Sequence, residues 1–190
     1  MKQTAVVLGI LLFLAGTVSL AYSSDDSRII EKLNKYGGKT EEEVYHKGDD
    51  KYKEGISRIV EYYDSNDRIA KIESFYREDS IEKDGVFKRE QHYENENFKR
   101  AKLTRAEFFF SDAHSRLNGI MKSEIYYDDH ERRSQIEYYY TPEHAKKKVL
   151  SKMVVFYEKD GEPSRRVYYD LNDKVISSED ARGTKKPGKK

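Results

Sequence analysis

Three stretches decide how this chain folds: Arg105-Ala106-Glu107-Phe108-Phe109-Phe110, Lys122-Ser123-Glu124-Ile125-Tyr126-Tyr127 and Gln135-Ile136-Glu137-Tyr138-Tyr139-Tyr140. In each, alternate positions carry opposite chemistry. Ala106, Phe108 and Phe110 fall on one side, Arg105, Glu107 and Phe109 on the other. A period of two with one apolar and one charged side is the pattern of a half-buried strand. Tyr, Phe, Ile and Val also suit a pleated surface.

The same unit recurs in both directions along the chain. Each copy ends in an aromatic doublet: Tyr62-Tyr63, Phe75-Tyr76, His92-Tyr93, Phe109-Phe110, Tyr126-Tyr127, Tyr139-Tyr140, Phe156-Tyr157 and Tyr168-Tyr169. The final aromatics are separated by 13, 17, 17, 17, 13, 17 and 12 residues. Near-constant spacing means one structural unit used many times. Counting back by two from the last aromatic gives an apolar face: Ile72 and Tyr76, Ile125 and Tyr127, Met153, Val155 and Tyr157, Val167 and Tyr169. Counting from the first aromatic gives a charged one: Lys71, Glu73 and Phe75; Lys88, Glu90 and His92; Lys122, Glu124 and Tyr126. Glu61 on the apolar face and Val60 on the charged one break the pattern, as do Arg89 and Gln91, which marks the early units as edge strands or shifted in register. After a strand of about seven residues, ~5 to ~10 remain for each connection, enough for antiparallel hairpins and too few for helical crossovers. Asn66-Asp67, Asp84-Gly85, Asn118-Gly119, Asp160-Gly161 and Asn172-Asp173 supply turn chemistry. The expectation is a mainly β protein: an antiparallel meander of about eight to nine repeat strands, an open curled sheet or a small barrel, with a short N-terminal helix.

Tyr62-Tyr63-Asp64-Ser65-Asn66-Asp67-Arg68-Ile69 with Glu73-Ser74-Phe75-Tyr76 resembles the bacterial tyrosine-containing hairpin repeats of the MORN-like, antitoxin-component type. Asp128, Lys159-Asp160-Gly161 and Asp170-Leu171-Asn172-Asp173-Lys174-Val175 continue the likeness over about residues 56–176. The chain departs from those repeats by lacking Gly at most turns. The resemblance implies repeated β-structure and protein binding, and it brings no catalytic residues.

Outside the repeats the chain divides as follows. Lys2 and the apolar run Ala5 to Leu20, closed by Ser19-Leu20-Ala21, describe a signal peptide over 1–21 cleaved after Ala21. The expected location is therefore exported, periplasmic or secreted. Residues 22–55 read as an N-terminal helix and polar linker. Ile29, Ile30, Leu33 and Tyr36 fall at helical spacing over 25–36, Asp25 or Asp26 is placed to cap, and Gly37-Gly38 stops the helix. Residues 56–180 are the antiparallel repeat domain. Residues 181–190 are a basic tail with the composition of disorder, able to touch an anionic surface weakly through charge. Without Lys2 and the five bases of the tail, residues 22–180 are about five charges negative.

Composition excludes several classes of function. The 190 residues hold no Cys and no Trp, which removes disulfides, thiolate metal sites and thiol catalysis. With 36 Lys plus Arg against 35 Asp plus Glu, no general basic field supports specific nucleic-acid binding. Sixteen Tyr and eight Phe are too many aromatics for a disordered chain. His114, His130 and His144 lie beside acids just after strands, but a meander puts His114 and His144 two strands apart and His130 at the opposite edge, so no metal site and no cofactor is expected. The glutamates recur at one strand position and so read as ladder residues; no catalytic residue is assigned. The basic, acidic and aromatic side chains of the charged face form instead a flat recognition surface. Its candidate binding residues are Phe75, His92, Phe109, Tyr126, Tyr139, Phe156 and Tyr168. The reading is an exported, non-enzymatic binding or structural module for a protein or envelope polymer. The alternative is a closed periplasmic barrel that carries a small apolar ligand.

Overall fold

The computed structural model describes residues 28–94 and 101–182. The period-two segments form strands, and the described residues make eleven of them: β1 (Arg28–Glu31), β2 (Gly37–Val44), β3 (Ile56–Asp64), β4 (Ile69–Tyr76), β5 (Val86–Glu94), β6 (Lys102–Phe110), β7 (Ile120–Tyr127), β8 (Arg133–Tyr140), β9 (Lys152–Tyr157), β10 (Pro163–Tyr169) and β11 (Val175–Asp180). Every strand pairs antiparallel with its neighbours in the chain, in the order β1 to β11. The sheet does not close: β1 and β11 are its two edges. The barrel expectation is thereby corrected, and with it the enclosed interior that a carrier of apolar ligands requires.

Two further expectations fail at the N-terminal end. Arg28–Glu31 is a strand paired with β2, not part of a helix over 25–36. The glycine pair that reads as a helix stop belongs to a hairpin instead. The Asn34 carbonyl accepts from the Gly37 amide at 3.0 Å, and Asn34 Nδ2 donates to the carbonyls of Lys39 and Tyr63. A buried asparagine that knits three chain segments outweighs a helical periodicity of only four apolar residues. The polar linker up to residue 55 contains β2 and a short helix, α1 (Asp50–Lys53), so β3 is an interior strand rather than an edge. The signal peptide, its cut after Ala21, the capping residues Asp25 and Asp26, and nearly all of the basic tail lie outside the described residues. Among those described, no helix is long and apolar enough to cross a membrane.

Alternate connections differ in kind, and this gives the sheet two unlike ends. At one end run α1, α2 (Glu78–Asp84), α3 (Asp112–Asn118) and α4 (Pro142–Lys148), so three of the 17-residue intervals that read as plain loops carry two-turn helices. At the other end the hairpins are tight. Asp64 Oδ1 accepts from the amides of Asn66 and Arg68 while the Arg68 guanidinium returns to Asp64 Oδ2. Asp128 does the same with His130 and Arg132; the turn from β10 into β11, which lies at the helix end, is capped alike by Asp170 with the amides of Asn172 and Lys174. These side-chain caps hold Asp67, Glu131 and Asp173 at φ near 58, 56 and 58°, where glycine is usual. That is how the chain makes these turns without glycine at the left-handed position.

The helix end is one device repeated. The backbone N–H groups of Arg77, Ser111 and Thr141, each just before a helix, donate at 2.8 Å to the carbonyls of Gly55, Gly85 and Gly119, each just after the preceding helix. His114 stacks on Phe110 and His144 on Tyr140, with ring centroids 5.1 Å apart in both. Each imidazole also lies against the glycine of the helix before it, where a Cβ on Gly85 or Gly119 would collide with the ring. Both glycines close their helices at positive φ, 76 and 73°. At the fourth repeat Val149 occupies that left-handed position at φ 55°. A β-branched side chain is strained there by about 1–2 kcal/mol. Val149→Gly is expected to raise stability by about 1 kcal/mol after the entropic cost of glycine, whereas Gly119→Ala lowers it, both read as shifts in urea midpoint at constant slope.

Candidate functional site

The register of the strands sorts the charged face into three rows. In the middle row Glu73, Glu90, Glu107, Glu124 and Glu137 stand directly opposite one another across β4 to β8. The row is closed by Val60 on one side and by Val154 and Val167 on the other. Towards the helix end, the next row reads Arg58, Phe75, Lys88, Phe109, Lys122, Tyr139, Lys152 and Tyr169, a cation and an aromatic ring in strict alternation. Towards the hairpin end it reads Tyr62, Lys71, His92, Arg105, Tyr126, Gln135, Phe156 and Arg165.

Like charges directly opposite on a sheet repel. Here the flanking rows neutralise them. Lys71 bridges Glu73 and Glu90, Lys122 bridges Glu107 and Glu124, Lys88 pairs with Glu90, Arg105 with Glu107 at 2.9 Å and Lys152 with Glu137 at 3.1 Å. The hydroxyls of Tyr62, Tyr126 and Tyr139 donate to Glu73, Glu124 and Glu137. The same cations sit over rings: Arg58 is 3.9 Å from the Phe75 centroid, Lys88 4.4 Å from Phe109, Lys122 4.7 Å from Tyr139 and Lys152 5.0 Å from Tyr169. Each such contact contributes about 0.5–1 kcal/mol where partly exposed. The neighbouring stems and rings bury the carboxylates; Glu124 is 5% exposed and Lys71 7%.

Ionisation follows from these partners. Burial works to raise Glu90, but the Lys88 and Lys71 ammoniums prevail and pull it to about 2. Glu124 is lowered in the same way, burial opposing and Lys122 and Tyr126 prevailing. Tyr126 is raised to about 12, first by burial and then by its bond to the Glu124 carboxylate. His92 is lowered by burial and by the Arg105 guanidinium.

Six of the seven candidate residues share this face. Phe75, Phe109 and Tyr139 lie in the helix-side row, and His92, Tyr126 and Phe156 in the hairpin-side row. Tyr168 is the exception: it pairs with Met153 on the opposite face, and its hydroxyl donates to Glu179. Tyr169 holds the position assigned to Tyr168, and Val167 with it joins the charged face rather than the apolar one. The cause is the interval of 12 residues from Tyr157 to Tyr169, against 13 in the other tight hairpins. An even separation reverses which doublet member faces which side.

The opposite face carries Phe108, Tyr138 and Met153 in one row with Ser74 and Ser123 between larger neighbours, and Ile72, Ala106, Ile125, Ile136 and Val155 in the next. Gln91 and Arg89 lie among them, as the sequence indicated.

His92, a candidate binding residue with no metal role expected from the sequence, meets Glu90 and Glu107 with potential ligand atoms within 4.8 Å of one another. The pattern that would have found it is Glu90 and His92 two residues apart on one strand face. Both carboxylates are already held by Lys71, Lys88, Arg105 and Lys122, and Arg105 Nη2 lies 3.4 Å from His92 Nε2. A divalent cation would have to displace those cations, so the cluster is part of the ladder. The His114 ring meets Asn118 Nδ2 at 2.9 Å and the Phe110 ring, so it serves packing at the helix end. No protein-family model matches this sequence, and no curated protein matches it.

The depressed Glu90 carboxyl sets the sign of an acid dependence. Its stabilising contribution is complete above the ordinary value of 4.5 and is lost as the pH falls towards 2. Glu90→Gln is therefore expected to be less stable than the native chain at neutral pH, with the gap in urea midpoint closing as the pH approaches 2. Tyr126 acts with opposite sign: its contribution is complete below 10 and is lost as the pH rises through about 12.

Proposed function

We propose that this chain is an exported, non-enzymatic β-repeat module that recognises a protein or an envelope polymer through its charged, aromatic face. The observation that carries this reading is the line of alternating cations and rings from Arg58 to Tyr169. Eight strands at about 4.8 Å make that line about 34 Å long, the reach of an extended chain rather than of a small molecule. Rings offer broad contact area with little rotamer entropy to lose, and the cations between them stay partly exposed to pair with acidic groups or sugar hydroxyls. The tight Asp-capped hairpins agree with the likeness to MORN-like repeats and favour protein recognition.

The non-enzymatic part of the reading is supported by the state of the acids. The Glu90 and Glu124 carboxylates are held low by ammonium partners, opposite to the raised value that a general acid needs at neutral pH. The glutamates also repeat along a row instead of converging as an unlike pair.

A photo-activatable aromatic residue placed at Phe109 or Tyr139 tests the proposal in the native envelope. It is expected to give one discrete adduct, while the same residue at Phe108 or Tyr138 on the opposite face gives none. Equal labelling from both faces, or no adduct from Phe109 and Tyr139, contradicts it.

A further inference from the structure

An open sheet leaves two edges, and here they are unlike. β1 has four residues, and its register with β2 shifts after Ile29. Its Arg28 guanidinium turns back onto Glu42 at 2.6 Å. A short, interrupted strand is a poor template for a further one. β11 forms the opposite edge. Its register shift falls at Ile176, and Ser177 to Asp180 then pair without interruption with Tyr168 to Arg165. All six of its residues are exposed, and among the described residues no strand lies beyond it. The ladder fixes which of its backbone groups are free. The Ala181 N–H donates to the Ser164 carbonyl at 3.1 Å, so that pair is hydrogen-bonded. In an antiparallel ladder such pairs alternate with non-bonded ones. The N–H and C=O groups of Ser177 and Glu179 therefore turn towards β10, and those of Ser178 and Asp180 turn outwards. Charge along this edge is uneven. Asp173 and Lys174 lead into it, and Glu179, Asp180 and Arg182 close it. Glu179 already meets Arg166 and the Tyr168 hydroxyl, and Asp180 meets Arg182 at 3.4 Å. Lys174 has no ion pair among the described residues.

We propose that β11 pairs antiparallel with β11 of a second copy, continuing the sheet across a two-fold axis normal to it. The outward N–H and C=O groups of Ser178 and Asp180 supply the new ladder. With the axis near Ser177, the Lys174 end of each strand lies on the Asp180 end of the other, and Asp173 comes beside the partner's Arg182. The edge is thus its own complement in charge, and each pairing occurs twice, as an isologous contact requires. Opposite charges facing across a strand pair favour it. Val175 and Ile176, exposed by 52% and 53%, lose water to the neighbouring strand. An unrelated extended peptide is the competing occupant; the second copy is favoured because the edge matches its own reverse. Two six-residue strands bury little area beside a permanent dimer, so the association is reversible and concentration-dependent. An axis normal to the sheet keeps both charged faces on one side, so the dimer presents the row from Arg58 to Tyr169 twice. The inference stands on the edge alone and does not depend on what that row binds.

Sedimentation velocity of the purified chain across the micromolar range tests this. A reversible monomer–dimer equilibrium is expected. Ser178→Pro removes an outward N–H and no bond to β10, so it should abolish the dimer while circular dichroism stays native. Lys174→Glu and Asp180→Lys each reverse a charge at both symmetric positions, and each should weaken the dimer about tenfold. The two together on one chain exchange the charges and should restore it. If Ser178→Pro fails to fold, the charge exchange alone decides. A chain that stays monomeric, even where an unrelated peptide strand binds β11, overturns the proposal. So does a dimer that survives Ser178→Pro, a charge exchange that neither weakens nor restores it, or growth beyond dimers.

Discussion

Five glutamates stacked in register across an open sheet are the constraint around which this molecule is organised. Left alone, the row would push its strands apart, since Glu90, Glu107 and Glu124 each face two other carboxylates one strand spacing away, and Glu73 and Glu137 face one. The chain resolves the conflict with cations placed two residues away along the strand, on the same face, so that a lysine such as Lys122 reaches the carboxylates of two strands at once. Removing either sign would leave the other partly buried and unpaired, the costly outcome for ionic groups in proteins. The benefit of such an arrangement is register. A slip of one residue between β7 and β8 would set Glu124 against Tyr138 or Ile136 and turn the charged side chains of one strand onto the apolar face, so no strand could take it up alone.

The rings complete the same arrangement. An aromatic occupies every second place in the helix-side row, so each lysine there has rings as lateral neighbours and carboxylates beside it. The tyrosine hydroxyls then satisfy carboxylate oxygens that the ammoniums leave. A surface that is ionic in composition thus becomes a close-fitted layer in which Lys71 is buried and Lys88, Lys122 and Lys152 stay partly exposed. The two ends of the sheet are tied separately, by Asp-capped turns at one and by amide-to-glycine links between successive helices at the other. Ladder, turns and helix links each repeat from strand pair to strand pair, as a chain built from one duplicated unit requires.

Much of this is legible in the sequence, and the failures have physical causes. The alternation of Arg105, Glu107 and Phe109 with Ala106, Phe108 and Phe110 defines both faces, because side-chain direction follows strand pleat without exception inside a ladder. The displacement of Tyr168 by Tyr169 was also written in the spacing: 12 is even where 13 and 17 are odd. The helices of the 17-residue intervals are less visible, since seven residues such as Asp112–Asn118 are too few to show a helical period. The N-terminal strand was hidden for a different reason. Ile29, Ile30, Leu33 and Tyr36 match a helix locally, and only the tertiary bonds of Asn34 to Lys39 and Tyr63 decide otherwise. The pairing of His92 with Glu90 and Glu107 depends on register across two strands, which composition does not contain.

The most direct measurement of this account is a double-mutant cycle at Lys122 and Glu124 followed by urea unfolding. Lys122→Met leaves Glu107 and Glu124 facing each other without their shared cation and should cost about 1–3 kcal/mol. Adding Glu124→Gln to that variant should restore a substantial part of the loss, so the two changes are strongly non-additive. If Lys122→Met is nearly neutral, or if Glu124→Gln deepens the loss, the glutamate row is not held by its cations and the account is wrong.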